Sequence, residues 1–184
     1  MFRLASMVNL LLFVFVLCVA PWCGAQHHDP LNEKEVDQMR EAADYPNKRL
    51  ELMVGFARAR ITAIDQLTKD KSAKDRPLQI HDTLQDFTAL LDEIDDNVDV
   101  YASHKTDMRK GLKLLIEGSS EWQIQLKNLK QQSPPEELDQ YSFVLANATE
   151  AISDTAESAR KELQTQNELA KDKKLVKIYS ERPD

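Results

Sequence analysis

The sequence predicts an all-α fold: an antiparallel up-down-up-down four-helix bundle with coiled-coil-like seams and an extra short N-terminal helix. Three observations predict it. Beyond residue 25 only Gly55, Gly111 and Gly118 remain, and no stretch alternates Val, Ile, Thr and aromatic residues as a strand would. Ala, Leu, Glu, Lys, Gln and Asp dominate instead, which favours helix. Finally, three successive segments repeat apolar or small residues in alternating steps of four and three. The rows are Ile80, Leu84, Phe87, Leu91, Ile94, Val98 and Tyr101; Met108, Leu112, Leu115, Ser119, Trp122, Leu126 and Leu129; and Leu138, Tyr141, Leu145, Ala148, Ile152, Thr155 and Ala159. A 3.5-residue period gives each helix one seam. Short connections make successive helices antiparallel neighbours.

Each element follows from local signals. Residues 1–25 read as a cleaved signal peptide: Arg3 opens it, an uncharged run spans Met7 to Ala20, and Cys23-Gly24-Ala25 precedes the cleavage point. The run is about 14 residues, short of the roughly 20 that span a bilayer; retention as an anchor is the alternative. Neither Cys18 nor Cys23 follows the pattern of a lipoprotein cleavage site. Residues 26–45 form a tail and a short helix, opened by an Asn32/Glu35 capping box and ending near Ala43. Residues 46–170 hold four long helices at roughly 46–72, 77–103, 106–131 and 134–169. Pro46 sits in the first turn of one, Thr106 caps another, and Ser133-Pro134-Pro135-Glu136 opens the last. Residues 171–184 are a basic tail, with Lys171, Lys173, Lys174 and Lys177 around Leu175, Val176, Ile178 and Tyr179. It reads as a frayed helix end whose cations suit the dipole, or as a docking segment for an acidic partner or for the acidic face of another copy.

Composition excludes several chemistries. Both cysteines lie in the leader, so the mature chain of 159 residues has no disulfide, thiolate metal site or cysteine nucleophile. Arg3 is the leader's one charged residue, so its removal takes the net charge from −7 to −8. Such a surface is a poor match for nucleic acid or anionic membrane. No second apolar span follows the leader.

The stretch LIEGSSEWQIQL, residues 115–126, is the local oddity. The seam stays in phase across Gly118-Ser119-Ser120, which predicts one unbroken helix, although Gly118 costs about 1 kcal/mol relative to alanine. Aligned through the corners, Ser119 falls level with Ala57, Leu91 and Ala148. The helices there either approach closely, with Gly55 helping, or leave an underfilled layer that holds water or a small ligand. Arg60 falls inside the apolar arc of the first long helix and needs a partner. Stacking on Trp122, pairing with Glu121 or Asp86, snorkelling out between helices, and anion or partner binding all fit the spacing. The candidate pocket is therefore Ala57, Arg60, Leu91, Ser119, Trp122 and Ala148.

Other motifs fail their tests. No histidine follows a glutamate by three, so a di-iron site is absent. His27-His28 reads as part of a tail. Asp95-Asp96-Asn97-Val98-Asp99 opens like a calcium loop, but Val100 and Thr106 stand where Gly and Glu belong. Asp92, Asp95, Asp96 and Asp99 read instead as a solvated acidic face. Asn147-Ala148-Thr149 matches a glycosylation acceptor by chance in mid-helix. No catalytic, cofactor-binding or metal-ligating residue is nominated, and no cofactor is implied. The reading is of an exported, periplasmic or extracellular, non-enzymatic bundle that works through protein–protein contacts, with another protein or a second copy as partner. The alternative is a small-molecule or cofactor carrier that uses the layer near Ser119, Trp122 and Arg60.

Overall fold

The computed structural model describes residues 29–180, with side chains described through Asp172. The leader, His27-His28 and the side chains of the basic tail beyond Asp172 lie outside the described residues. Five helices run through the rest: α1 (Glu33–Glu41), α2 (Pro46–Lys69), α3 (Arg76–Ser103), α4 (Arg109–Gln132) and α5 (Pro135–Ser180). The chain is an all-α bundle with a short leading helix, and no strand occurs among the described residues.

Local signals set most of the ends. Asn32 accepts from the Glu35 amide at 3.1 Å while Glu35 accepts from the Asn32 amide at 3.0 Å, a complete capping box. Pro46 occupies the first turn of α2, where its missing N–H costs nothing. Two expected caps act elsewhere. Thr106 lies outside α4, whose N-cap is Met108. Ser133 ends α4 rather than opening α5: its amide and hydroxyl both donate to the Leu129 carbonyl, and its Oγ accepts from Tyr141 at 2.6 Å. α5 also continues well past the expected end near residue 169. Helix continues through Asp95–Asp99, so no metal-binding loop forms there.

The three seams form the core. Every residue of the three rows is buried except Tyr101 and Leu138, which are partly covered at the ends. From α2 come Leu50, Met53, Ala57, Ile61 and Ile64. Leu90, Val144 and Ala156 widen the apolar stripe beyond a strict seam.

Successive helices alternate in direction, yet they do not all lie side by side. α2 packs on α3 and α4, and α5 packs on α3 and α4, whereas no Cα of α3 comes within 8 Å of one in α4. α3 and α4 are therefore diagonal. The side-chain bridges give the directions. Asn47 holds the Gly111 amide at 2.9 Å and Arg58 meets Glu121 at 3.3 Å, so α2 and α4 run parallel. Arg76 pairs with Glu137, and Thr155 donates to Asp95 at 2.7 Å, so α3 and α5 run parallel too. The expectation that α3 and α4 pack as neighbours is corrected by this arrangement. Its physical reason is reach: with axes about 8–10 Å apart the diagonal is only about 11–14 Å, and five extended residues span about 17 Å.

The crossing link, residues 104–108, is fastened from above. Lys105 takes a left-handed conformation, φ 56°. Gln166 of α5 then accepts from the Met108 amide at 3.0 Å and donates to the Thr106 carbonyl at 2.9 Å. Both Gln166 and Met108 are buried, so these bonds lie out of water's competition and Met108 closes that end of the core.

The glycines differ sharply in what they permit. At Gly111 an added Cβ would fall 2.6 Å from Leu50 Cβ, so α2 and α4 approach closely there because no side chain intervenes. Gly55, expected to assist close packing, is exposed with nothing within 4 Å of a Cβ. Gly55→Ala should therefore raise stability by about 1 kcal/mol through helix propensity alone. Gly111→Ala should lower it by about 1–3 kcal/mol through overpacking. Denaturant unfolding followed by far-UV circular dichroism measures both; equal shifts of one sign would contradict the assigned packing.

Candidate functional site

The helix does pass unbroken through Gly118-Ser119-Ser120. Ser119 is buried and its hydroxyl donates to the Leu115 carbonyl at 2.7 Å, so its polar group is satisfied within its own helix. Trp122 is fully buried and meets Phe87 edge-on across the diagonal, with centroids 5.5 Å apart and planes at 88°. An added Cβ at Gly118 would lie 2.9 Å from Trp122 Cζ2. The small residue is there to admit the indole. Trp122 Nε1 finds no acceptor among the described residues. Ala57, Leu91 and Ala148 are likewise fully buried, and the five most pronounced surface concavities among the described residues are lined by other residues.

Arg60 turns away from that layer. Its guanidinium grips Glu35 of α1 through both nitrogens, with Nη2 to Oε2 at 2.6 Å, and Nη2 also donates to the Pro30 carbonyl at 2.6 Å. The two side chains are only 15% and 10% exposed. Burial pushes the Glu35 carboxyl up, but the Arg60 bonds, the Asn32 cap and the Arg60 charge outweigh it and hold it below the usual range. The Glu35 bonds in turn raise Arg60 against its own burial, with smaller contributions from the Glu35 and Asp86 charges. Glu121 pairs with Arg58 instead. The sequence holds the parts of this clamp, because Glu35 follows from the cap and Arg60 from the apolar arc. Their pairing needs α1 folded back along α2, which Arg49 secures by bonding the Met39 carbonyl at 3.0 Å and Asn97 at 3.2 Å.

A different feature emerges once helices are placed. α2 and α4 together carry ten Lys and Arg against four Asp and Glu. Residues 77–103 of α3 and 135–159 of α5 carry thirteen Asp and Glu and no Lys or Arg. Because α3 and α5 are neighbours, their acids share one side of the bundle. Asp95 shows the consequence: burial raises its carboxyl pKa, and Asp92, Asp99 and Asp154 add to the shift against the Thr155 bond. Its Oδ1 is buried with no donor among the described residues. Asp92 is raised as well, by burial and then by Asp96. The solvated face expected from the sequence is thus solvated only in part.

On this side a groove of about 570 Å³ runs between α3 and α5, lined by Asp82, Asp86, Ala89, Asp92, Phe143 and Asn147 among others. Phe143 is 75% exposed, an unusual placement for a phenyl ring. The opposite side has a groove of about 710 Å³ at the start of α2 and α4, lined by Tyr45, Lys48, Lys110, Lys113 and Leu114 among others. There Lys48 pairs with Glu51 at 3.3 Å. Among the described residues, no three His, Cys, Asp or Glu side chains are grouped to hold a metal ion. No described helix is long and apolar enough to cross a membrane.

The Asp95 arrangement makes a signed prediction. A carboxyl whose folded pKa is raised favours the fold most when protonated, below its unfolded value, and that contribution is lost as pH rises through the folded value. Asp95→Asn keeps an acceptor for Thr155 and removes the charge. It should therefore raise stability at pH 7 by about 1 kcal/mol, with the gain fading as pH falls through the carboxylate range. Thermal unfolding across pH reads this; a destabilised variant at pH 7 would contradict it.

Comparison with protein-family models, curated proteins and solved structures finds no match for this chain.

Proposed function

We propose that the chain is an exported, non-enzymatic helical bundle that works through protein–protein contacts, and that the α3–α5 side makes the contact. Export rests on the leader and its small-residue cleavage point, which support a reading as a periplasmic or extracellular envelope or secreted accessory protein. The observation that carries the contact reading is the acidic α3–α5 side with Phe143 standing on it. An exposed aromatic ring is costly to keep in water, and with like-signed charges around it has the composition of an anchor flanked by steering groups. The carrier alternative needs an open layer at Ser119. Burial of that layer, with Gly118 against the Trp122 ring, favours a filled one.

A photo-crosslinking residue at position 143, introduced in the cells that make the protein, should give one discrete protein adduct. The same residue at Ile124, 62% exposed on α4, should give none. Absence of any protein adduct at 143 and at Asp92 would remove the reading.

A further inference from the structure

We propose that the α3–α5 groove receives the C-terminal stretch, residues 171–184, of a second copy of this chain. The inference rests on the protein-contact reading above and names its partner. Three observations support it. The groove offers Asp82 and Asp92 beside Phe143, and the helices that build it contribute no Lys or Arg over residues 77–103 and 135–159. The chain's own C-terminal stretch carries the complementary set, Lys171, Lys173, Lys174 and Lys177 interleaved with Leu175, Val176, Ile178 and Tyr179. The third is reach. α5 is one helix from Pro135 to Ser180, so about 42 Å of rise separates Phe143 from Lys171. The stretch therefore cannot fold back to its own groove while α5 stays helical, and a second copy must supply it.

The charge on α5 also reverses along its length. Residues 135–159 hold six acids and no base, while residues 160–177 hold six bases and three acids. Two α5 helices laid antiparallel place each acidic half beside the other's basic end. Each copy then gives one stretch and receives one, which closes a two-fold dimer. Contacts of this kind are salt-sensitive, with the aromatic anchor giving affinity and the charges setting register and rate.

The test is sedimentation velocity on the full mature chain. Association should be present at low salt and weaken about tenfold or more as salt is raised severalfold. Phe143→Ala should weaken it about tenfold, the usual effect of removing an aromatic anchor, without shifting the melting temperature, because the ring is exposed. Lys173→Glu/Lys174→Glu/Lys177→Glu should abolish association. Combining it with Asp82→Lys/Asp92→Lys should restore association, a rescue that a merely unfolded variant cannot produce. A synthetic peptide of residues 171–184 should dissociate the wild-type assembly. A monomer at every concentration, or association unchanged by either charge reversal, overturns the proposal. Adducts at position 143 with a different protein, from a chain that sediments as a monomer, overturn this inference and leave the protein-contact reading standing.

Discussion

Five residues between α3 and α4 carry the chain across the diagonal of the bundle, and the rest of the arrangement depends on that crossing. A link running along an edge would make every neighbouring pair antiparallel. The diagonal link makes two neighbouring pairs parallel, α2 with α4 and α3 with α5. The crossing leaves backbone groups buried at the end of the core, where unpaired amides and carbonyls cost about 1–3 kcal/mol each. Gln166 satisfies the Met108 amide and the Thr106 carbonyl with one side chain. The extra length of α5 beyond an ordinary bundle helix brings Gln166 to that level.

The crossing also sorts charge. Along the chain the long helices alternate basic, acidic, basic and acidic. In an edge-linked square, like-charged helices would sit on diagonals with the opposite sign between them. Here the two acidic helices are neighbours, and so are the two basic ones. Asp95 sits between the acidic pair, half-buried, with Oδ2 accepting from Thr155 and Oδ1 without a hydrogen-bond partner among the described residues. The cost is borne by a core whose centre is the Phe87–Trp122 contact. The result is that the acids of residues 77–103 and 135–159 gather on adjacent helices, where their field adds.

Much of the fold was legible in the sequence because helices announce themselves locally. The steps of four and three in the rows from Ile80, Met108 and Leu138 depend on near neighbours in the chain, and nearly all of those residues are buried. The capping box was legible for the same reason: Asn32 and Glu35 are three residues apart. Which helices touch was not legible, because a five-residue link reaches an adjacent helix and a diagonal one equally well. The candidate layer was legible within the same limit. Ser119, Trp122 and Ala57 share the core as expected, but the layer is occupied by the indole that Gly118 admits. Arg60 found Glu35 because α1 docks back on α2, a contact no local period encodes. The acidic α3–α5 side could be seen helix by helix in the sequence, yet its union into one surface is a property of topology.

Topology is also what one measurement reaches most directly. Residues 26–184 contain no cysteine, so in a chain of those residues Arg58→Cys/Glu121→Cys introduces the sole thiols, at positions whose native side chains meet at 3.3 Å and are about half exposed. A short thiol-to-thiol crosslinker should bridge them within one folded chain in high yield. In an edge-linked bundle α2 and α4 would be diagonal, with the core between them, and no intrachain bridge would form. A folded, helical variant that resists bridging would contradict the diagonal crossing and the charge-sorted surfaces that follow from it.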